Sequence, residues 1–205
     1  MDDEFRPLIG IPADPVRTYT EAEEQRLLAN LHRLSTEVHA GRARGRPITE
    51  RLLCDLHRVL FEGVRSHAGT IRKPGHGQET LRFGPNRSVL RDNVPDELDE
   101  LFRAVRASVE SFRANPNDPA YDESAFHLAV WAHAEVIRIH PFEDGNGRSS
   151  RQLMNWLLVE LGLRPLAVEV PKEEYNACLN HYFKSRARDG LAPLVDLLLR
   201  AYQAG

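Results

Sequence analysis

Cysteine is almost absent: Cys54 and Cys178 are the only two in 205 residues. Two thiols cannot build a disulfide framework or a four-cysteine zinc module, and they suit a reducing compartment as small buried hydrophobes. Long apolar runs are also missing; none approaches the ~20 residues of a membrane helix. The stretch Met1 to Arg6 is acidic and lacks the basic-then-apolar layout of a signal peptide. A cytoplasmic protein that does not span a membrane is therefore expected. Lysine is scarce, with Lys73, Lys172 and Lys184 the only three among 27 basic residues. The formal net charge of −3 gives no global pull toward nucleic acid. A basic loop with Arg42, Arg44 and Arg46 reads as an ordinary solvated loop.

What is present is a composition for one soluble domain, 41% hydrophobic and 28% charged, without repeats or an internal linker. Residues 1–17 read as a flexible arm, because Pro7, Pro12 and Pro15 oppose a helix. Residues 18–205 read as a single domain. Thr20 with Glu23 is a capping-box signature ahead of Leu27, Leu31, Leu34 and Val38 at helical spacing. Thr49 is placed to cap a second helix, and Asp122 a later one. A further helix is expected after Pro95, and two more over roughly 171–186 and 191–202. Leu153 to Leu161 is apolar almost all round, the mark of a buried helix, with Gly162 placed to end it. Between 69 and 91 helical spacing fails, and pieces near Thr80–Phe83 and Ser88–Leu90 predict a hairpin. The fold class is all-α with one short β-hairpin.

The chemistry concentrates in His140-Pro141-Phe142-Glu143-Asp144-Gly145-Asn146-Gly147-Arg148-Ser149-Ser150-Arg151. Gly145 and Gly147 free the backbone and let a ligand approach closely. A glycine-rich turn opening onto a helix offers unpaired N–H groups and a dipole to an anion, above all a phosphate. Arg148 and Arg151 share a face in the first helical turn, where basic residues are unfavourable unless an anion sits above them. Asp144 adds a carboxylate suited to nucleotide-bound Mg²⁺. His140, ending the preceding helix, has the pKa range of a general base. These are the parts of phosphoryl or nucleotidyl transfer.

The segment resembles the signature of the Fic family, His-Pro-Phe-x-Asp-Gly-Asn-Gly-Arg-x-x-Arg, at every fixed position. Gly69-Thr70-Ile71-Arg72 and the residues after it resemble the start of the Fic flap, and 52–199 the Fic helical core. The resemblance implies a Fic-type helical bundle with the hairpin flap over the active site. It implies transfer of AMP from ATP to a Ser, Thr or Tyr hydroxyl of a target protein, with release of pyrophosphate. In that reading His140 is the base, Asp144 holds Mg²⁺, and Gly145, Asn146 and Gly147 hold the α-phosphate. Arg148 and Arg151 meet the β- and γ-phosphates, and Phe142 anchors the loop. The flap (Gly69, Arg72, Thr80, Leu81, Arg82, Phe83) docks the target by strand addition. Tyr175 falls where the family often has an aromatic near adenine, and Asn176 replaces a common second tyrosine.

The resemblance leaves alternatives. Relatives of the Doc type phosphorylate their targets, but they lack the two motif glycines; others donate UMP. A catalytically silent nucleotide-binding module is a further reading. Many relatives carry an inhibitory Ser/Thr-x-x-x-Glu-Gly/Asn helix, whose glutamate pairs with the second motif arginine. No complete match occurs here: Thr20 with Glu24 is followed by Gln25, while Ser88/Asp92 and Ser185/Asp189 carry the shorter acid. A small antitoxin supplying the glutamate in trans is therefore an expected partner, or the chain is not restrained in this way.

Overall fold

The computed structural model describes residues 19–41, 44–73, 79–185 and 188–204. The whole of the expected arm at 1–17 lies outside them, as do Arg42 of the basic loop and 74–78 of the flap. Seven α-helices are described: α1 (Glu21–His39), α2 (Glu50–Phe61), α3 (Val94–Ala114), α4 (Tyr121–Ile139), α5 (Asn146–Glu160), α6 (Lys172–Ser185) and α7 (Arg188–Ala204). One antiparallel hairpin, β1 (Arg82–Phe83) with β2 (Asn86–Arg87), pairs Arg82 with Arg87 and Phe83 with Asn86. Among the described residues no helix is long and apolar enough to cross a membrane.

Local chemistry explains most boundaries. The capping box of α1 is complete: the Glu23 amide donates to the Thr20 hydroxyl, and the Thr20 amide to the Glu23 carboxylate. Thr49 occupies the N-cap of α2, but its side chain makes no capping bond. Asp122 is not the cap of α4. Ala120 takes that position, because Asp118 accepts the Ala120 amide at 2.9 Å in a turn that starts the helix earlier. Pro95 sits in the first turn of α3, where its missing N–H costs nothing. The hairpin turns at Gly84-Pro85, so its second strand precedes the expected Ser88–Leu90. Gly162 ends the central segment with a left-handed backbone, φ +83°. Cys54 is buried as expected, whereas Cys178 is only half-buried; both are free thiols.

The core is a layered helical bundle. The α4 and α5 helices form its centre and pack most extensively on each other, with α1 and α2 against α5, α3 against α4, and α6 against α7. Both central helices bury residues on nearly every face, including Ala129, Ala132, Val136, Leu153 and Leu157. Asn155 ties the chain after α5 to this core by exchanging two bonds with the Leu166 backbone, at 2.9 and 3.1 Å. The connection between the two central helices, residues 140–145, is thereby gripped at both ends by the rigid part of the molecule. Leu157→Ala is expected to cost about 2–5 kcal/mol, read as a lower urea midpoint with an unchanged slope. A cost below ~1 kcal/mol would mean that the centre is not close-packed.

Candidate active site

The loop between α4 and α5 is shaped by its own side chains. His140 ends α4 with φ 55° and ψ 58°, the only non-glycine residue with positive φ among the described residues. Pro141 cannot extend the helical ladder. Phe142 points inward, fully buried, and stacks on His57 of α2 with ring centroids 3.8 Å apart. Asn146 closes the loop on itself: its Oδ1 accepts the Phe142 amide at 2.9 Å and its Nδ2 donates to the Phe142 carbonyl at 2.8 Å. Gly145 has φ +80°, and a Cβ there would lie 2.1 Å from the Phe61 ring. The first helical bond of α5 runs from the Ser149 amide to the Gly145 carbonyl. The amides of Asn146, Gly147 and Arg148 are thus left at the helix N-terminus for an anion.

The Asn146 side chain closes the loop through Oδ1 and one Nδ2 hydrogen, and its second Nδ2 hydrogen and backbone N–H remain as donors for a phosphate. One expectation is corrected. Gly147 is helical, with its nearest Cβ neighbour, Arg151 Nη1, at 3.6 Å; it leaves room for a ligand but needs no special backbone angle.

A cavity of about 270 Å³ opens in front of the loop, lined by His140, Gly145, Gly147 and Arg148 on one side. Phe83 and Asn86 of the hairpin and Lys172, Asn176 and Asn180 form other walls. Nδ1 of His140 lies 3.2 Å from the Ile137 carbonyl. That pairing makes Nδ1 the N–H donor and leaves Nε2 with the basic lone pair. The Phe83 ring lies flat on the imidazole, centroids 4.5 Å apart and planes 6° off parallel. Burial pushes the His140 pKa down to about 4; the Ile137 bond pulls it back up in part, and the weaker Arg72 and Asp144 charges act downward and upward in turn.

Asp144 is buried, with Oδ1 accepting the Gly145 amide at 2.6 Å. Its Oδ2 takes the Tyr19 hydroxyl proton and lies 3.8 Å from Arg65 Nε. The Tyr19 oxygen in turn accepts from Arg148 Nη1 at 3.0 Å, and the Arg65 guanidinium lies 4.3 Å from the ring centroid. Glu23 holds Arg65 there at 2.7 Å. Among the described residues no group of three His, Cys, Asp or Glu converges on a point. The described residues alone therefore make no metal cage. A single carboxylate beside an anion nest fits a divalent ion that arrives on a nucleotide and keeps water and phosphate ligands.

Arg151 lies away from the first cavity and lines a second of about 340 Å³, with Arg148, Leu31, Ser35, His39 and Gln152. It donates to the Tyr175 hydroxyl. Tyr175 lines the first cavity with its ring, but its hydroxyl points inward to His133 Nε2 at 2.5 Å. The Tyr175 hydroxyl belongs to a buried Arg151–Tyr175–His133 chain, while the residue itself lines the first cavity.

The flap residues divide. Arg82 is exposed, Thr80 and Phe83 half-buried, and Leu81 buried. Gly69 has φ +76° and donates its amide to His57 Nδ1 at 2.7 Å. Arg72, expected to face a docked target, is 1% exposed and turned inward. His57, Tyr19, Arg65 and the inward role of Arg72 were missed at the sequence level. No motif marks them, and their partners lie far along the chain.

The Fic/DOC family profile matches residues 47–158. The chain is 42% identical over 154 residues, 74% of its length, to a protein adenylyltransferase Fic of Drosophila mojavensis, and 43% identical over 72 residues to that of Drosophila yakuba. These alignments cover 27% and 14% of those relatives, so the chain spans a minor part of their length. The BepC effector protein of Bartonella tribocorum, solved with bound AMPPNP, has a similar fold. Its TM-score is 0.67 at 17% identity, over 88% of this chain and 86% of that one.

Gly145→Ala is expected to lose stability, from the left-handed angle (about 1–2 kcal/mol) and from collision with Phe61 (about 1–3 kcal/mol). Gly147→Ala is expected to hold or raise it. Equilibrium unfolding of both checks this; equal effects would contradict the geometry.

Proposed function

Because the chain belongs to the Fic/DOC family, we propose that it is a protein adenylyltransferase, moving AMP from ATP to a Ser, Thr or Tyr hydroxyl of another protein. The observation that carries this reading is the free Nε2 of His140 beside the N-terminus of α5, with Arg148 on the same cavity. The names of the fly relatives support the activity, and the AMPPNP bound to the Bartonella protein supports ATP as donor.

In this mechanism the triphosphate lies over the amides of Asn146, Gly147 and Arg148. The target hydroxyl gives its proton to His140 Nε2. Its oxygen forms a bond to the α-phosphorus as the bond from that phosphorus to the α–β bridging oxygen breaks, and the electron pair leaves on pyrophosphate. Arg148 meets the charge developing on the leaving group. Arg151, reached from the second cavity, neutralises its far end. Asp144 would hold the Mg²⁺ that screens the phosphates and helps orient them. Among the described residues the sheet has two strands, which leaves β1 an edge on which an extended target segment can add. Arg82 and Phe83 stand at that edge. A small antitoxin delivering a glutamate to Arg151 would enter by the second cavity, beside Leu31 and Ser35.

The test is incubation of the purified chain with host lysate, Mg²⁺ and ATP labelled on the α- or the γ-phosphate. Labelling from the α-position alone is expected, and its loss in His140→Asn, a residue that tolerates the left-handed backbone. Labelling from γ alone would make the chain a phosphotransferase; transfer from UTP alone would change the donated group. Transfer undiminished in His140→Asn would remove the base. Protonation removes the basic lone pair, so the rate should stay level as pH drops through 6.5 and fall only toward about 4. An acid limb at the ordinary histidine value would contradict the buried, neutral imidazole.

Tyr19 occupies the contacts that the metal and phosphate need at Asp144 and Arg148. Tyr19→Phe is expected to lower the Mg²⁺ concentration for half-maximal transfer about five-fold, the worth of roughly 1 kcal/mol of hydrogen bonding. An unchanged Mg²⁺ requirement would show that the phenol does not compete.

A further inference from the structure

Arg72 is among the largest fully buried side chains, and among the described residues no carboxylate forms an ion pair with its positive charge. Its hydrogen bonds go elsewhere. Nε donates to the His140 carbonyl at 2.8 Å and Nη2 to the Ile139 carbonyl at 3.3 Å, the last acceptors of α4. Nη2 also reaches Ser88 Oγ and the Val89 carbonyl, both at 3.2 Å. The Arg72 amide donates to the Pro141 carbonyl at 2.7 Å. One residue thus holds three consecutive carbonyls on the active-site side, at 139, 140 and 141, and two groups on the hairpin side. Ser88 carries the link onward, since its hydroxyl accepts the Leu81 amide at 2.9 Å and its own amide donates to Leu81. Leu81 precedes β1, whose Phe83 lies on the His140 ring.

Helix C-termini leave carbonyls without partners and favour a cation. A left-handed non-glycine residue persists only where its surroundings over-determine it. Both conditions converge on the guanidinium.

We propose that Arg72 is a positioning residue for the transfer reaction: it locks the left-handed backbone of His140 to the flap hairpin, so that the base and the strand presenting the target hydroxyl keep one fixed geometry. The inference rests on the reading of His140 as the base. It differs from a docking role, because Arg72 touches neither solvent nor a bound segment. It also has an electrostatic side. The charged groups acting on the His140 imidazole are Arg72, which disfavours its protonation, and Asp144, which favours it; Arg91 and Glu143 act on Arg72 itself. Removing the buried cation should therefore make His140 easier to protonate.

The experiment compares the full chain with Arg72→Gln, Arg72→Lys and Ser88→Ala. Three readouts are used: His140 titration by NMR, amide exchange at Leu81 and Ser88, and transfer from α-labelled ATP. Arg72→Gln is expected to raise the His140 titration midpoint while burial still holds it below the ordinary histidine value, speed exchange in the hairpin, and lower kcat about 100-fold, as an ångström of misplacement does. Nucleotide affinity should be unchanged. Arg72→Lys keeps the charge without the fork, so it should lower kcat while leaving the titration in place. Should Arg72→Gln not fold, Ser88→Ala still cuts the hairpin side of the link, with faster Leu81 exchange and a several-fold loss of kcat expected. Unchanged His140 titration in folded Arg72→Gln, or unchanged exchange and kcat in Ser88→Ala, would overturn the proposal. Titration and exchange need no turnover. A chain that transfers nothing, yet shows both shifts, would sink the functional reading and leave the coupling standing.

Discussion

The left-handed backbone of His140 is the constraint on which the site depends. A continuing helix would carry the imidazole away from α5, and an extended residue would separate the two helices. The αL turn does neither: it stops α4 and swings the chain directly into the N-terminus of α5. Such an angle costs about 1–2 kcal/mol in a residue with a Cβ, so it survives only because its surroundings hold it. Arg72 takes the flanking carbonyls, the His140 amide is bonded to Val136, and Phe142 is clamped by Asn146 and sandwiched on His57. The functional geometry is thus a property of packing around the loop as much as of the loop itself.

Burial sets the electrostatics. His57, His133 and His140 are all enclosed, and each is held neutral well below the ordinary histidine value by desolvation. His57 shows the consequence in geometry. It accepts the Gly69 amide at Nδ1, so its Nε2 must carry the hydrogen that meets the Asp144 carbonyl at 3.0 Å. A protonated ring would lose the first bond. The scarcity of lysine has its counterpart here: Arg65, Arg72, Arg138 and Arg148 are buried or nearly so, and each meets several acceptors or an aromatic face, as a planar fork can and a point charge cannot.

Helical periodicity made the all-α class and the positions of α1, α2 and α3 legible, because those helices have one apolar face each. The twelve residues from His140 to Arg151 stand together in the chain and so could be read together. What stayed hidden was the direction of side chains and every partner brought in by the fold. That the Asn146 amide also closes its own loop was not legible from the motif. The bond from the Tyr175 hydroxyl to His133 could not be foreseen from its place in the chain. Tyr19 and Asp144 are separated by 125 positions, and Arg72 and His140 by 68; no local pattern encodes such meetings. Strand position within the hairpin was also misjudged, since two-residue strands carry too little alternation to fix a register.

The contact between Gly145 and Phe61 reaches beyond the shape of the turn. The ring fills the space where any side chain at 145 would go, and Phe61 is the last residue of α2, far back in the chain. The wall behind the anion nest is therefore supplied by α2, and a chain whose α2 has come away from the bundle keeps the signature without that wall. The site is long-range in the chain, since both an N-terminal helix and the central pair contribute to it. Partly unfolded molecules that keep α4 and α5 paired should then carry the whole signature and still be inert, so that competence appears and disappears with the cooperative unit rather than with the segment that bears its residues.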